Sequence, residues 1–354
     1  MNRLVILGNG FDLAHGLPTS YSSFILDYFK SAYIKAVSTQ MPYTDDLIEL
    51  RLQHLLPELE RANDLKKASE ILVTKKIVTY KNRLLRSLLE EFHLINWVDI
   101  ENTYYSLLKK YIPAPDKIDS FDKKGLESLN RFLEEIKALL RDYLDRCVKT
   151  NIGEWRFLIN EFVQIFNQEF SQEEIQSVLH ENCKKPSNIY FLNFNYTGTI
   201  GFYSDQMKVS GRVINIHGQL NDENNPPVFG FGDELDERYA DIERLNQNEL
   251  FRHIKSFAYF QTTNYQRLLR VIDSNPFQVF IIGHSCGLSD RTMLNYIFES
   301  ENCKSIKIFH YKDKDHFVTT TQEISRHFRD KASMRSKIVP FDKQNRCPQV
   351  TDDF

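Results

Sequence analysis

Residues 4–19 read LVILGNGFDLAHGLPT, and this stretch decides the expected fold. It begins with an apolar run that stops at Gly8-Asn9-Gly10, which predicts a buried strand followed by a tight turn. Because glycine lets a backbone approach a ligand closely, a strand, a glycine turn and a helix in succession favour a phosphate site. The spacing is not the GxGxxG of dehydrogenases, so a plain turn stays the alternative. Asp12 follows in the turn, as a capping group or a ligand contact.

Further strand patterns come late in the chain. Residues between about 47 and 180 instead repeat apolar side chains at helical spacing. Short runs that are apolar throughout predict strands covered on both faces, as in parallel sheets. The runs are IYFL at 189–192, VINI at 213–216, VFII at 279–282 and SIKIF at 305–309.

Strands that alternate with helices favour an open doubly wound sheet. We therefore predict an α/β fold, namely a Rossmann-like, mainly parallel sheet with a large α-helical insertion. Residues 1–30 and 187–342 are expected to form the sheet core and residues 31–186 the insertion. The polar residues 343–354 are expected to form a loose tail.

Composition excludes several classes of protein. The net charge of −3 provides no basic field for nucleic acid, and no stretch reaches the length of a membrane span. The five cysteines include no CxxC pair, so we expect neither a disulfide framework nor a metal site. These features predict a cytoplasmic protein, and a homo-oligomer stays possible.

Two polar motifs follow predicted strands. Asn195 and Thr197 lie in LNFNYT, and His217 lies in INIHG. Open α/β sheets bind ligands beyond the carboxyl ends of their strands, which favours a site here. An asparagine amide both donates and accepts hydrogen bonds, and a histidine titrates near neutral pH, as a general base requires. A helix cap and a structural histidine are the alternatives.

The late motif GHSCG at 283–287 matches the GxSxG nucleophile elbow of serine hydrolases. Ser285 would be the nucleophile, and histidines further along the chain would complete a triad. Only about 70 residues follow Ser285, which is short for the rest of that fold, and no HGGG-type oxyanion segment precedes it. A Ser285-dependent hydrolase is the rival hypothesis.

The opening stretch LVILGNGFDLAHGLPTSYSSF resembles the signature of the AbiH family of bacteriophage abortive-infection proteins. The segments WVDIE, LNFNYT, INIHG and IIGHSCGLSD resemble further motifs of that family, in the same order. This resemblance implies an antiphage effector that responds to an unknown phage trigger.

A second resemblance is to sirtuin-like NAD-binding domains. It covers Gly8-Asn9-Gly10, Gly16-Leu17-Pro18, Asn195, His217-Gly218 and Gly283-His284-Ser285. Asn9 replaces a small residue of that pattern, Thr197 stands where aspartate is usual, and the zinc-ribbon cysteines are missing, which argues against a protein deacylase.

The sirtuin-like resemblance implies an NAD⁺ hydrolase with NAD⁺ as its substrate. Asn195 would position water or ribose, and His217 would act as general base. A nucleotide-binding sensor without turnover is a third possibility. The residues expected to contact the nucleotide are Gly8, Asn9, Gly10, Asp12, Gly16, Pro18, Thr197, Gly283, Ser285 and Asp290.

Overall fold

The computed structural model describes residues 1–52, 54–81, 85–86, 97–113, 121–150, 158–176, 184–207 and 212–350. Contacts divide the chain into two compact units. The first comprises Met1–Leu17, Cys147–Leu235 and Lys255–Phe354, and the second comprises Pro18–Arg146 and Asp236–Ile254.

The described strands, in chain order, are β1 (Asn2–Leu7), β2 (Tyr43–Thr44), β3 (Ile48–Leu50), β4 (Val78–Tyr80), β5 (Ile189–Asn193), β6 (Val213–Asn215), β7 (Phe277–Ile282) and β8 (Cys303–Phe309). The described helices are α1 (Asn9–Ala14), α2 (Tyr21–Thr39), α3 (Pro57–Glu60), α4 (Leu65–Thr74), α5 (Trp97–Lys110), α6 (Lys123–Thr150), α7 (Leu158–Phe166), α8 (Thr199–Gln206), α9 (Tyr239–Leu245), α10 (Lys255–Ala258), α11 (Asn264–Ser274), α12 (Arg291–Glu299), α13 (Lys314–Ser325) and α14 (Lys331–Lys337).

The first unit contains a five-stranded sheet in the order β6-β5-β1-β7-β8. All of its strand pairs are parallel, and Leu4 of β1 lies opposite Tyr190 on one side and Val279 on the other. This confirms the predicted mixed α/β fold with a mainly parallel sheet. After β1 the chain adds β5 and β6 on one side of that strand and then β7 and β8 on the other side. The strand order therefore reverses at β1. The Rossmann-like and sirtuin-like assignments stay predictions.

Both faces of this sheet are covered, as its uninterrupted apolar strands predict. Leu4 and Ile6 pack with apolar side chains of α11, α12 and α13 in one cluster. Val5 and Leu7 point to the opposite face and pack with α7 and α8 in a second cluster. Alternate residues of β1 therefore serve two cores, since successive strand side chains face opposite ways.

Helix α7 belongs to the first unit and packs on the sheet. The helical periodicity of residues 31–186 instead predicts this helix within the insertion. The buried guanidinium of Arg3 fastens the end of this helix, because its Nη1 donates to the carbonyl oxygens of Phe166 at 2.8 Å and Gln168 at 2.6 Å. Helical periodicity predicts that a helix has an apolar face, but it does not indicate which of the two units that face contacts.

The second unit contains α2 to α5 and α9, together with most of α6. It also contains a small antiparallel sheet in the order β2-β3-β4, which the helical prediction for this region missed. Its strands are two to three residues long, too short to show an alternating pattern. Asp45 holds the β2–β3 turn, because its Oδ1 accepts hydrogen bonds from the backbone N–H groups of Leu47 and Ile48, each at 2.8 Å.

The C-terminal segment is tied to the first unit as far as residue 350. His310 and Arg346 form an isolated parallel bridge, and the Cys347 N–H donates to the His310 carbonyl at 2.9 Å. The Val350 N–H donates to the Ala14 carbonyl at 2.9 Å. This differs from the loose tail expected from polar composition, because composition does not show which backbone groups find partners. The end of that tail, 351–354, lies outside the described residues.

Candidate functional site

The glycine turns after β1 and β7 lie in direct backbone contact. The Gly10 N–H donates to the Gly283 carbonyl at 2.8 Å, and the Gly8 N–H donates to the Ile282 carbonyl at 3.2 Å. A Cβ added to Gly10 would lie 2.6 Å from the Gly283 Cα, and one added to Gly8 would lie 2.6 Å from the His284 Cα. Glycine is thus required where the two turns touch.

This packing changes the interpretation of the first turn. From the sequence, the glycines are expected to admit a phosphate group. The N–H groups of Gly8 and Gly10 are instead engaged by the carbonyl oxygens of the neighbouring turn. The two turns therefore pack against each other and stabilise the edge of the sheet where the strands end.

Gly16 and Pro18 take no part in the contact between the two glycine turns. Gly16 has a φ of +73° with open space where a Cβ would lie, so it is suited to a left-handed turn after α1. Pro18 belongs to the second unit, where its carbonyl accepts a hydrogen bond from Tyr143 Oη at 2.6 Å.

Asn195 is joined to the glycine turn. Its Nδ2 donates to the Gly8 carbonyl at 3.0 Å, and its backbone N–H donates to Asn193 Oδ1 at 3.2 Å. The Asn193 side chain in turn donates to Asn215 Oδ1 of β6 at 2.9 Å. These bonds connect the carboxyl ends of three adjacent strands.

Asp12 and Thr197 also meet. Thr197 Oγ1 donates to Asp12 Oδ2 at 2.6 Å, and the Thr199 hydroxyl lies 3.2 Å from that of Thr197. Asp12 is 1% exposed, and its Oδ1 has no hydrogen-bond partner among the described residues. Burial raises the pKa of Asp12 to about 6, against the opposing effect of the two threonine hydroxyls.

His217 is paired with Asp290 in a buried cluster. Its Nε2 lies 3.0 Å from Asp290 Oδ1 and 3.3 Å from Tyr259 Oη. Lys255, which is 1% exposed, donates to the same Asp290 oxygen at 2.9 Å. Burial acts to raise the pKa of Asp290, but the charge of Lys255 and the interaction with His217 outweigh it and hold that pKa well below its usual range.

The pairing assigns roles to the two ring nitrogens of His217. A carboxylate only accepts hydrogen bonds, so Nε2 carries the hydrogen in the neutral ring. Nδ1 then holds the lone pair, and within the described part of the chain no group forms a hydrogen bond with it. Asp290 therefore orients His217, and its expected contact with a nucleotide stays a prediction.

Phe194 connects this pair to the glycine turns. It precedes Asn195, and its ring centroid lies 4.8 Å from that of His217 and 4.2 Å from that of His284. His284 accepts a hydrogen bond at Nδ1 from the Cys286 N–H at 3.0 Å, and burial lowers its pKa to about 4. His284 is therefore neutral at pH 7.

Ser285 is exposed and has no histidine partner in the ranges that the structure describes. Two histidines later in the chain hydrogen-bond backbone carbonyl groups. His327 Nε2 donates to the Cys286 carbonyl at 2.7 Å, and His310 Nε2 donates to the Asp342 carbonyl at 3.1 Å. A nucleophile elbow places its serine on a strained turn, whereas the positive φ angles fall on Gly283 and Cys286. These observations weigh against the serine hydrolase hypothesis.

Sequence reasoning missed Lys255 and Tyr259. Both lie in the segment RHIKSFAYF, which carries no motif, and they reach His217 and Asp290 only through tertiary contacts. A lone lysine in such a segment is indistinguishable from a solvated one, because lysine is rarely buried.

The described residues lack two further features. They contain no group of three or more histidine, cysteine, aspartate or glutamate side chains placed to hold a metal ion. They also contain no helix that is both long and apolar enough to cross a membrane.

The parallel sheet, with polar side chains gathered where its strands end, has the arrangement by which α/β proteins bind ligands. The family model described as Bacteriophage abortive infection AbiH matches residues 4–312. The chain belongs to the AbiH family. Searches of curated proteins and of solved structures found no match.

Proposed function

We propose that this AbiH-family protein is an abortive-infection effector that hydrolyses the nicotinamide–ribose bond of NAD⁺. The observation that carries the proposal is the His217–Asp290 pair beside Asn195 and the glycine turns. The pair holds His217 in the tautomer that leaves Nδ1 able to accept a proton. A histidine oriented by a buried carboxylate is the arrangement that general-base catalysis uses.

The reaction needs little more than a positioned base. The nicotinamide ring of NAD⁺ is cationic, so the bond from ribose C1′ to the ring nitrogen breaks with its electron pair going to that nitrogen. Water forms the new bond to C1′ and gives its proton to His217 Nδ1. The products are nicotinamide, ADP-ribose and one proton. A single base contributes about 10²–10⁴-fold to such a rate.

Asn195 is the residue proposed to position the water or the ribose. Its amide nitrogen is used by the Gly8 carbonyl, so the amide oxygen is the atom that would accept a hydrogen bond from water or a ribose hydroxyl. The change of direction at β1 supports a nucleotide here, because doubly wound sheets bind dinucleotides where the strand order reverses.

Infected cells provide a direct test. Cells expressing the wild-type chain or His217→Gln are infected with a phage that the wild type restricts, and NAD⁺ is measured through the infection. We expect NAD⁺ to fall with the wild type and to persist with His217→Gln. The control is His54→Gln, because His54 is an exposed histidine in the second unit. Restriction with unchanged NAD⁺ would favour a nucleotide-binding sensor.

A further inference from the structure

A pocket of about 100 Å³ in the first unit is lined by two residues that contact His217. Tyr259 and Asp290 both line it, and both hydrogen-bond His217 Nε2. Tyr265 extends one wall, with its ring parallel to that of Tyr259 at a centroid distance of 5.6 Å and an interplanar angle of 7°. Phe260, which is 69% exposed, forms part of the rim.

The size of this pocket fits one ring. Pockets for drug-sized ligands occupy roughly 300–1,000 Å³, well above this volume. Flat aromatic walls favour a flat occupant, because offset-stacked and edge-on contacts between rings are attractive.

The charges around the pocket favour a cation. The exposed Glu234 and the buried Asp290 both line it. Lys255 donates to Asp290 and neutralises one of the two carboxylates, whereas no cation among the described residues forms an ion pair with Glu234. The negative charge of Glu234 reaches the aromatic wall, because it raises the pKa of Tyr265 in addition to the larger effect of that residue's burial. Aromatic faces attract cations in addition.

We infer that this pocket binds a small planar organic cation of the N-alkylpyridinium class. The inference deepens the proposed function and rests on it for the natural ligand, because the nicotinamide ring of NAD⁺ belongs to this class. An occupant contacts Tyr259 and Asp290, so it lies beside the two groups that orient His217.

Direct binding tests the inference without turnover. Calorimetry on the full chain measures 1-methylnicotinamide, a cation, against its neutral isostere 3-methylbenzamide. We expect the cation to bind at least about threefold more tightly, as cation–π contacts and one carboxylate predict. Phe260→Ala and Glu234→Gln are each expected to weaken cation binding by about 3- to 30-fold.

Phe257→Ala is the matched control. Phe257 lies on α10, is 47% exposed and does not line the pocket, so its replacement should leave binding unchanged. Absence of cation binding, equal binding of the two isosteres, or equal effects of Phe257→Ala and Phe260→Ala would each overturn the inference. Cation binding without NAD⁺ cleavage would refute the proposed function alone, and cleavage without cation binding would refute the pocket alone.

Discussion

His217 Nε2 lies 3.0 Å from Asp290 Oδ1, and the two residues are 6% and 4% exposed. Lys255 shares the same carboxylate oxygen at 2.9 Å. Asp290 therefore has two tasks, because it orients the imidazole and balances a buried ammonium group. The stability of the first unit and the proposed catalysis therefore both depend on this carboxylate.

Asp290→Asn is expected to destabilise the chain strongly. It leaves the ammonium group of Lys255 buried without its counter-charge, and breaking a buried pair costs about 3–5 kcal/mol. Urea unfolding measures the loss. Asp273→Asn is the control, because exposed Asp273 accepts a hydrogen bond from Tyr296 at 3.0 Å. A loss no larger than that of the control would contradict the assigned charge balance.

The buried carboxyl of Asp12 predicts a pH dependence. Its pKa is raised to about 6 in the folded chain, above the value of about 4 expected in the unfolded chain. The folded state thus binds the proton more tightly, and stability falls as pH rises from about 4 to 6. The shift corresponds to on the order of 3 kcal/mol.

Asp12→Asn should remove that part of the pH dependence. We expect it to raise the free energy of unfolding above pH 6 relative to the wild type, with little difference at pH 4. Unfolding at both pH values provides the measurement, with exposed Asp205→Asn as control. An unchanged pH profile in Asp12→Asn would show that Asp12 is not the titrating group.

Two glycine substitutions separate turn packing from backbone conformation. Gly283→Ala introduces a Cβ 2.2 Å from the Phe11 nitrogen at a φ of +65°, and we expect a loss of about 2–5 kcal/mol. Gly16→Ala meets open space at a φ of +73° and should cost only about 1–2 kcal/mol. Thermal unfolding compares them. Equal losses would mean that the two turns do not touch as described.

Ser285→Ala is expected to leave NAD⁺ cleavage within about fivefold of the wild type, since one hydrogen bond is worth about 1 kcal/mol. An organophosphate reagent should fail to label the wild-type serine, because no histidine among the described residues activates it. Stoichiometric labelling together with loss of activity would restore the serine hydrolase hypothesis.

The sequence predicted the strands of the main sheet well. Runs such as 279–282 are apolar throughout, which happens when a strand is covered on both faces, and the structure extends this run to Phe277–Ile282. The sequence also predicts Asn195 just beyond a strand end, and in the structure its Nδ2 donates to the Gly8 carbonyl of the first glycine turn. That contact follows from the rule that parallel strands end at one edge of the sheet.

Other features depend on contacts that a sequence pattern does not contain. Gly10 and Gly283 are glycines because their backbones touch, although the sequence lacks any sign that they are neighbours. Lys255 reaches Asp290 across 35 positions of sequence. Its burial depends on the fold of the segment before α11, which has no periodic pattern.

The purified full chain provides the most direct measurement, in which nicotinamide released from NAD⁺ is quantified for the wild type and for His217→Gln. The account predicts release by the wild type and a fall of about 10²–10⁴-fold in His217→Gln, while that variant still binds NAD⁺ and keeps its unfolding midpoint. Equal release by both proteins would contradict the assignment of His217 as the base. NAD⁺ bound by the wild type but never cleaved, with phage lysate added, would contradict the proposed hydrolase.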